Sequence, residues 1–119
     1  MLREVMPPRV ERELERRWFT DEDFDLVVWL TRAFGAVAFE LCYDRQRGER
    51  ALTWSPERGY GHYRVDAGED TPTRNLSPIL VADGDFPRAR IAGEFERASG
   101  DLDPAIRAFV LEHLEGFAR

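Results

Sequence analysis

The sequence contains one cysteine, Cys42, and no lysine. A single thiol cannot form an internal disulfide, which excludes the stapled scaffold of a small secreted protein. All 17 basic residues are arginine. Guanidinium groups suit carboxylates and phosphates, but codon bias in a GC-rich genome accounts for such usage more simply. No apolar run approaches the ~20 residues of a membrane-spanning helix. The charged opening MLREVMPPRVERELERR lacks the apolar centre of a signal peptide. The expectation is a cytoplasmic protein with no membrane partner. There is no HExxH, no GxSxG and no glycine-rich phosphate loop. No catalytic residue, metal or cofactor is therefore assigned, and the balance leans away from an enzyme.

What is present suits a folded chain. Its 119 residues, 43% hydrophobic and 34% charged, match one domain spanning 1–119 with a modest core. The formal net charge of −6 argues against a dedicated nucleic-acid binder, whose domain is usually basic.

The organising stretch runs from Phe24 to Trp54. Phe24, Leu26, Val28 and Leu30 alternate with Asp25, Val27, Trp29 and Thr31, which is strand periodicity. After Arg32–Gly35 the alternation resumes with Val37, Phe39, Leu41 and Tyr43. A four-residue loop there pairs Leu30 with Val37, Val28 with Phe39 and Leu26 with Leu41. The Arg45–Gly48 loop then sets Leu41 opposite Leu52 and Phe39 opposite Trp54. A fourth strand from His62 to Asp66 fits if Tyr63 faces Trp54 and Val65 faces Leu52. A helix over 24–34, with Thr20 as its cap, is the rival reading; the β-branched and aromatic content of LVVWLT favours the strand.

Around this meander, residues 1–7 read as loose, and Pro8 to about Arg17 as a short helix with Val10 and Leu14 on one side. Ser55–Gly61 has turn composition. Leu76–Ala82 forms a fifth strand, which Pro78 places at an edge or near its own start. Two helices follow. The first runs from Pro87 to Ser99, capped by Asp85, anchored by Ile91 and Phe95 and stopped by Gly100. The second opens on Asp103-Pro104 and carries the stripe Ile106, Phe109, Val110, Leu114 and Phe117. The fold class is α+β: an antiparallel meander of four to five strands, two C-terminal helices on one face and a short N-terminal helix.

The same register assigns Val27, Trp29, Ala38, Glu40, Thr53, His62 and Arg64 to the second face, with Arg64 as a mate for Glu40. That face is too apolar for plain solvent surface and too polar for plain core. Cover by the N-terminal helix, a homodimer or other protein interface, and a ligand surface compete for it. The first-ranked role is a non-catalytic homo-oligomer or protein-interaction domain. The alternative is single-stranded nucleic-acid binding through Arg45, Arg47, Arg50, Arg58 and Tyr60. A second alternative is a small-molecule or metal-dependent enzyme around His62, with Asp66, Glu69 and Asp70 as further candidate bases or metal ligands. Four residues along a strand span ~13 Å, which rules out direct pairing of His62 with Asp66. His113, on the apolar edge of the last helix, reads as a packing residue.

The runs WFTDEDFDLVVWL, AFELCYD, ERALTW and VDAGE resemble a pattern found in small bacterial proteins of unknown function. The resemblance covers roughly the middle half of the chain. It implies a self-standing bacterial domain and no activity.

Overall fold

The computed structural model describes residues 1–5, 7–66, 79–82 and 86–117, with backbone alone for Asp66 and 79–82. Eight strands and two helices follow in order: β1 Arg3–Glu4, β2 Arg9–Glu11, β3 Leu14–Thr20, β4 Asp25–Thr31, β5 Gly35–Tyr43, β6 Arg50–Ser55, β7 Gly59–Asp66, β8 Ile79–Ala82, α1 Arg88–Ala98 and α2 Pro104–Glu115. The sheet is antiparallel throughout, in the order β1-β3-β4-β5-β6-β7-β8, with β2 also pairing β3. Because β4 occupies the other side of β3, β1 and β2 are two segments of one edge lane. Pro7 and Pro8 lie in the break between them, where a residue without a donor N–H is tolerated. The sheet is thus seven lanes wide, wider than the four to five strands expected.

The short N-terminal helix does not form. Residues 9–20 make a β-hairpin instead, closing at Glu11↔Leu14. Leu14, Arg16 and Trp18 alternate with Glu15, Arg17 and Phe19, and pairing β3 along all of β4, from Leu14↔Thr31 to Thr20↔Asp25, wins over the weak i,i+4 Glu13–Arg17 contact. Residues 1–5 are not loose either. Leu2 is 1% exposed, and its N–H bonds Ala98 O at 2.8 Å.

Residues 25–31 are strand, not helix. Thr20-Asp21, read in the rival helix as its start, is a hairpin turn in which Asp21 Oδ1 accepts from the N–H groups of Asp23 and Phe24 at 2.8 and 2.7 Å. The expected pairs Val28↔Phe39, Leu26↔Leu41, Leu41↔Leu52 and Phe39↔Trp54 are present. Leu30 pairs Ala36 rather than Val37, because the loop closes one residue earlier at Thr31↔Gly35 and a bulge at Val37 restores the register.

Strand β7 differs more. It starts at Gly59, so the hairpin closes tightly at Ser55↔Gly59 and the pairs are Trp54↔Tyr60 and Leu52↔His62. The two tight hairpins share a design: a hydroxyl (Thr31, Ser55) accepts from the N–H three residues on, and a glycine at φ near +70° (Gly35, Gly59) returns the chain. Relative to the expected pairing the shift is odd, so every β7 side chain changes face.

Both helices lie on one face. Ile91 and Phe95 of α1 and Ile106, Val110 and Leu114 of α2 pack with Leu26, Val28, Phe39, Leu41 and Leu52. Each such side chain contributes roughly 1.5–3 kcal/mol when fully buried. Asp103 caps α2, its carboxylate accepting from Ala105 N at 2.8 Å. β8 is the far edge, as Pro78 implied; Pro78 itself, Glu69, Asp70 and the proposed cap Asp85 lie outside the described residues.

Candidate uncovered sheet face

On the face away from α1 and α2, register places Trp18, Val27, Glu40, Thr53 and Gly61 in one row across five lanes. The next row runs Arg16–Trp29–Ala38, and on the other side lie Asp25, Cys42, Ala51 and Tyr63. Val27, Trp29, Ala38, Glu40 and Thr53 therefore occupy the face expected of them. His62 and Arg64 do not, because of the β7 shift. His62 is 8% exposed beneath the helical layer, bonded to Tyr43 Oη at 2.6 Å and ringed by Phe86. Arg64 sits exposed at i+2 on that same side and is not the mate of Glu40.

The residues proposed for nucleic acid are not brought together. Arg45 bonds Thr20 Oγ1 and Asp21 O at one end of β6, and Arg50 bonds Gly48 O. Arg47 is exposed in that same loop, whereas Arg58 is at the opposite end of β6, roughly 20 Å away for a six-residue strand. Tyr60 points to the helices, where its hydroxyl donates to His113 O at 2.7 Å. His113 packs on Trp54 at 4.2 Å, the packing role its sequence position suggested. Among the described residues no group of three His, Cys, Asp or Glu side chains is placed to hold a metal ion.

The uncovered face is concave where its residues are small. Ala38, Thr53, Ser55, Gly59 and Gly61 form the floor of a groove of about 830 Å³, with Trp29 and Leu14 at one end and Tyr63 at the other. Tyr63 folds back over Gly61: a Cβ there would lie 2.5 Å from the ring and 2.8 Å from Thr53 Oγ1, so only glycine admits this arrangement. Trp18 is fixed beside the groove by donating its indole N–H to Asp25 Oδ1. A smaller recess of about 280 Å³ adjoins the Trp29 end, lined by Arg9, Glu11, Leu14, Arg16 and Trp29.

Glu40 is the titratable group of the floor. Burial raises its carboxyl above the usual range, the Asp25 charge adds to this, and a hydrogen bond from Cys42 opposes it. The Cys42 Sγ lies 3.7 Å from Glu40 Oε2. Burial first, then the charges of Glu40, Glu49 and Asp25, push that thiol up, so it stays protonated at neutral pH. Cys42 thus acts as a donor and a small apolar group rather than a nucleophile.

Arg9, Leu14, Arg16, Trp18, Gly61 and Tyr63 escaped sequence reasoning. The first four fell in the supposed N-terminal region, where the alternation of Leu14, Arg16 and Trp18 was the available signal. The other two depended on the β7 register, for which two glycines on one parity were the clue. No protein-family model, no curated protein and no solved structure matches this chain.

Proposed function

We propose that this chain is a non-catalytic binding domain whose uncovered sheet face is its working surface, and that the groove there holds a small, largely apolar organic ligand. The supporting observation is the concavity itself. A sheet face that only awaits cover has no need of a floor of Ala38, Thr53, Ser55, Gly59 and Gly61 between Trp29 and Tyr63. Its volume of about 830 Å³ lies within the ~300–1,000 Å³ typical of small-molecule sites, which are mostly apolar with few polar groups. Glu40, Thr53 and Ser55 supply polar groups, and Glu57 and Arg58 of the β6–β7 turn also line it. With the Cys42 thiol protonated, the face is better suited to holding a molecule than to attacking one.

A second reading, pairing of two copies through this face, draws on its breadth. Trp18 and Val27 extend the partly apolar surface beyond the groove, and layered domains normally cover both such faces. One set of measurements separates the two. N-phenyl-1-naphthylamine, a neutral fluorophore, should bind saturably at one site per chain, and Ala38→Leu, which fills the floor, should weaken it at least about tenfold. Absence of saturable binding, or binding indifferent to Ala38→Leu, overturns the groove reading. A dimer in sedimentation velocity that Trp29→Arg converts to monomer would put the second copy in its place.

A further inference from the structure

The recess at the Trp29 end carries an unusual charge arrangement. Arg9 of β2 and Arg16 of β3 are direct cross-strand partners. Both point to the uncovered side, since Arg16 shares the parity of Trp18 and lies opposite Trp29. Like charges directly opposite destabilise a strand pair. Among the described residues neither guanidinium has a hydrogen bond or ion pair. The neighbouring Arg17, on the other side of the same strand, shows the contrast: Glu4 clamps it with two bonds of 2.9 and 2.8 Å. Glu11 is the one acid lining the recess, so the site keeps a surplus of positive charge on a chain of net −6.

Leu14 and Trp29 line both the recess and the groove, so the two spaces adjoin across these side chains. We infer that the ligand of the groove is an amphiphilic organic anion, its carboxylate, sulfonate or phosphate head between Arg9 and Arg16 and its apolar body crossing Trp29 toward Tyr63. This rests on the groove reading and adds the ligand class. Two guanidinium forks on one side of a recess match the paired oxygens of such heads. An anion there also relieves the Arg9–Arg16 repulsion. Deeper in, the groove is lined by the acid Glu40 beside Ala38 and Thr53, which disfavours a second anionic group there.

The test compares two probes with one ring system. 8-Anilinonaphthalene-1-sulfonate carries the anionic group, and N-phenyl-1-naphthylamine lacks it. Fluorescence titration of the whole chain should give a Kd for the sulfonate at least about tenfold below that of the neutral amine. Raising salt about tenfold should weaken the sulfonate alone. The double variant Arg9→Ala/Arg16→Ala, both exposed residues of an edge hairpin, should bring the sulfonate to the level of the amine and leave the amine unchanged. Displacement by decanoate and by decyl phosphate then tells carboxylate from phosphate heads, with decanol as the neutral comparison.

If the amine binds and the sulfonate is no tighter, or its binding ignores both salt and the arginines, the anionic class is overturned while the groove stands. If neither probe binds, both readings fall together. Sulfonate binding that survives Ala38→Leu would be off the groove and would also overturn the inference. The salt dependence is read on the unaltered chain, so a variant that folds poorly does not remove the test.

Discussion

Glu40 shows what a partly buried charge does on a mixed sheet face without a cation in its row. Its carboxylate accepts from the Cys42 thiol, and no guanidinium shares its row, the expected Arg64 having turned to the other side. Burial raises its carboxyl pKa, with Asp25 adding to the shift. The folded chain therefore takes up this proton at a higher pH than the unfolded chain. As pH rises from the unfolded value through the folded one, the folded chain still holds a proton that the unfolded chain has released, so stability falls. Glu40→Gln keeps an acceptor for Cys42 and removes the charge. It should stabilise the chain by about 1 kcal/mol at pH 7.5, and the gain should vanish below about pH 4, where both states are protonated. Urea unfolding at the two pH values reads this directly. A glutamine variant less stable than the parent at pH 7.5 would mean that Glu40 is favourably solvated after all.

At the scale of elements, the central meander was legible because its apolar residues alternate without interruption and its loops are short. Leu26↔Leu41 and Leu41↔Leu52 follow from pattern alone. The C-terminal helix was equally clear, because Asp103-Pro104 marks its start and the stripe through Leu114 its buried side. The ends of the sheet were not legible. In RVERELERRW, charge on both parities hides the alternation, and i,i+4 Glu–Arg spacing imitates a helix. In SPERGYGHY, three closely spaced turn-forming residues suit either a long loop or a tight hairpin, and that choice decided which face receives His62 and Tyr63. The β2–β3 hairpin carries a local conflict of its own. Arg12 sits in its two-residue turn at φ 60°, the left-handed region that favours glycine. Arg12→Gly should therefore stabilise the chain by roughly 0.5–1 kcal/mol in thermal unfolding, since relief of side-chain strain exceeds the added freedom of the unfolded chain. A destabilised glycine variant would show that the arginine side chain itself holds the turn.

For the molecule as a whole, the two sheet faces have different fates, and the N-terminal lane links the covered one together. Leu2 enters the core beside the helices, its N–H bonds the C-terminal carbonyl of α1 at Ala98, and the next residues pair β3 through Arg3↔Thr20 and Glu4↔Phe19. One short segment therefore ties helix layer to sheet layer at the edge opposite β8. Leu2→Ala should cost about 2–4 kcal/mol, as much as truncating a core position of a helix such as Ile91, because the surrounding side chains cannot fully close the cavity. Hydrogen exchange supplies the second readout: the Leu2 amide and those of β3 should lose protection together, since opening the lane frees both. A loss below ~0.5 kcal/mol, the level of an ordinary surface substitution, would make β1 a decoration of the edge. The sheet would then be held to its helices by its inner strands, β7 included through Tyr60, without help from the N-terminal lane. The uncovered face has no such tie among the described residues, so a groove can persist there without weakening the packing that holds the chain together.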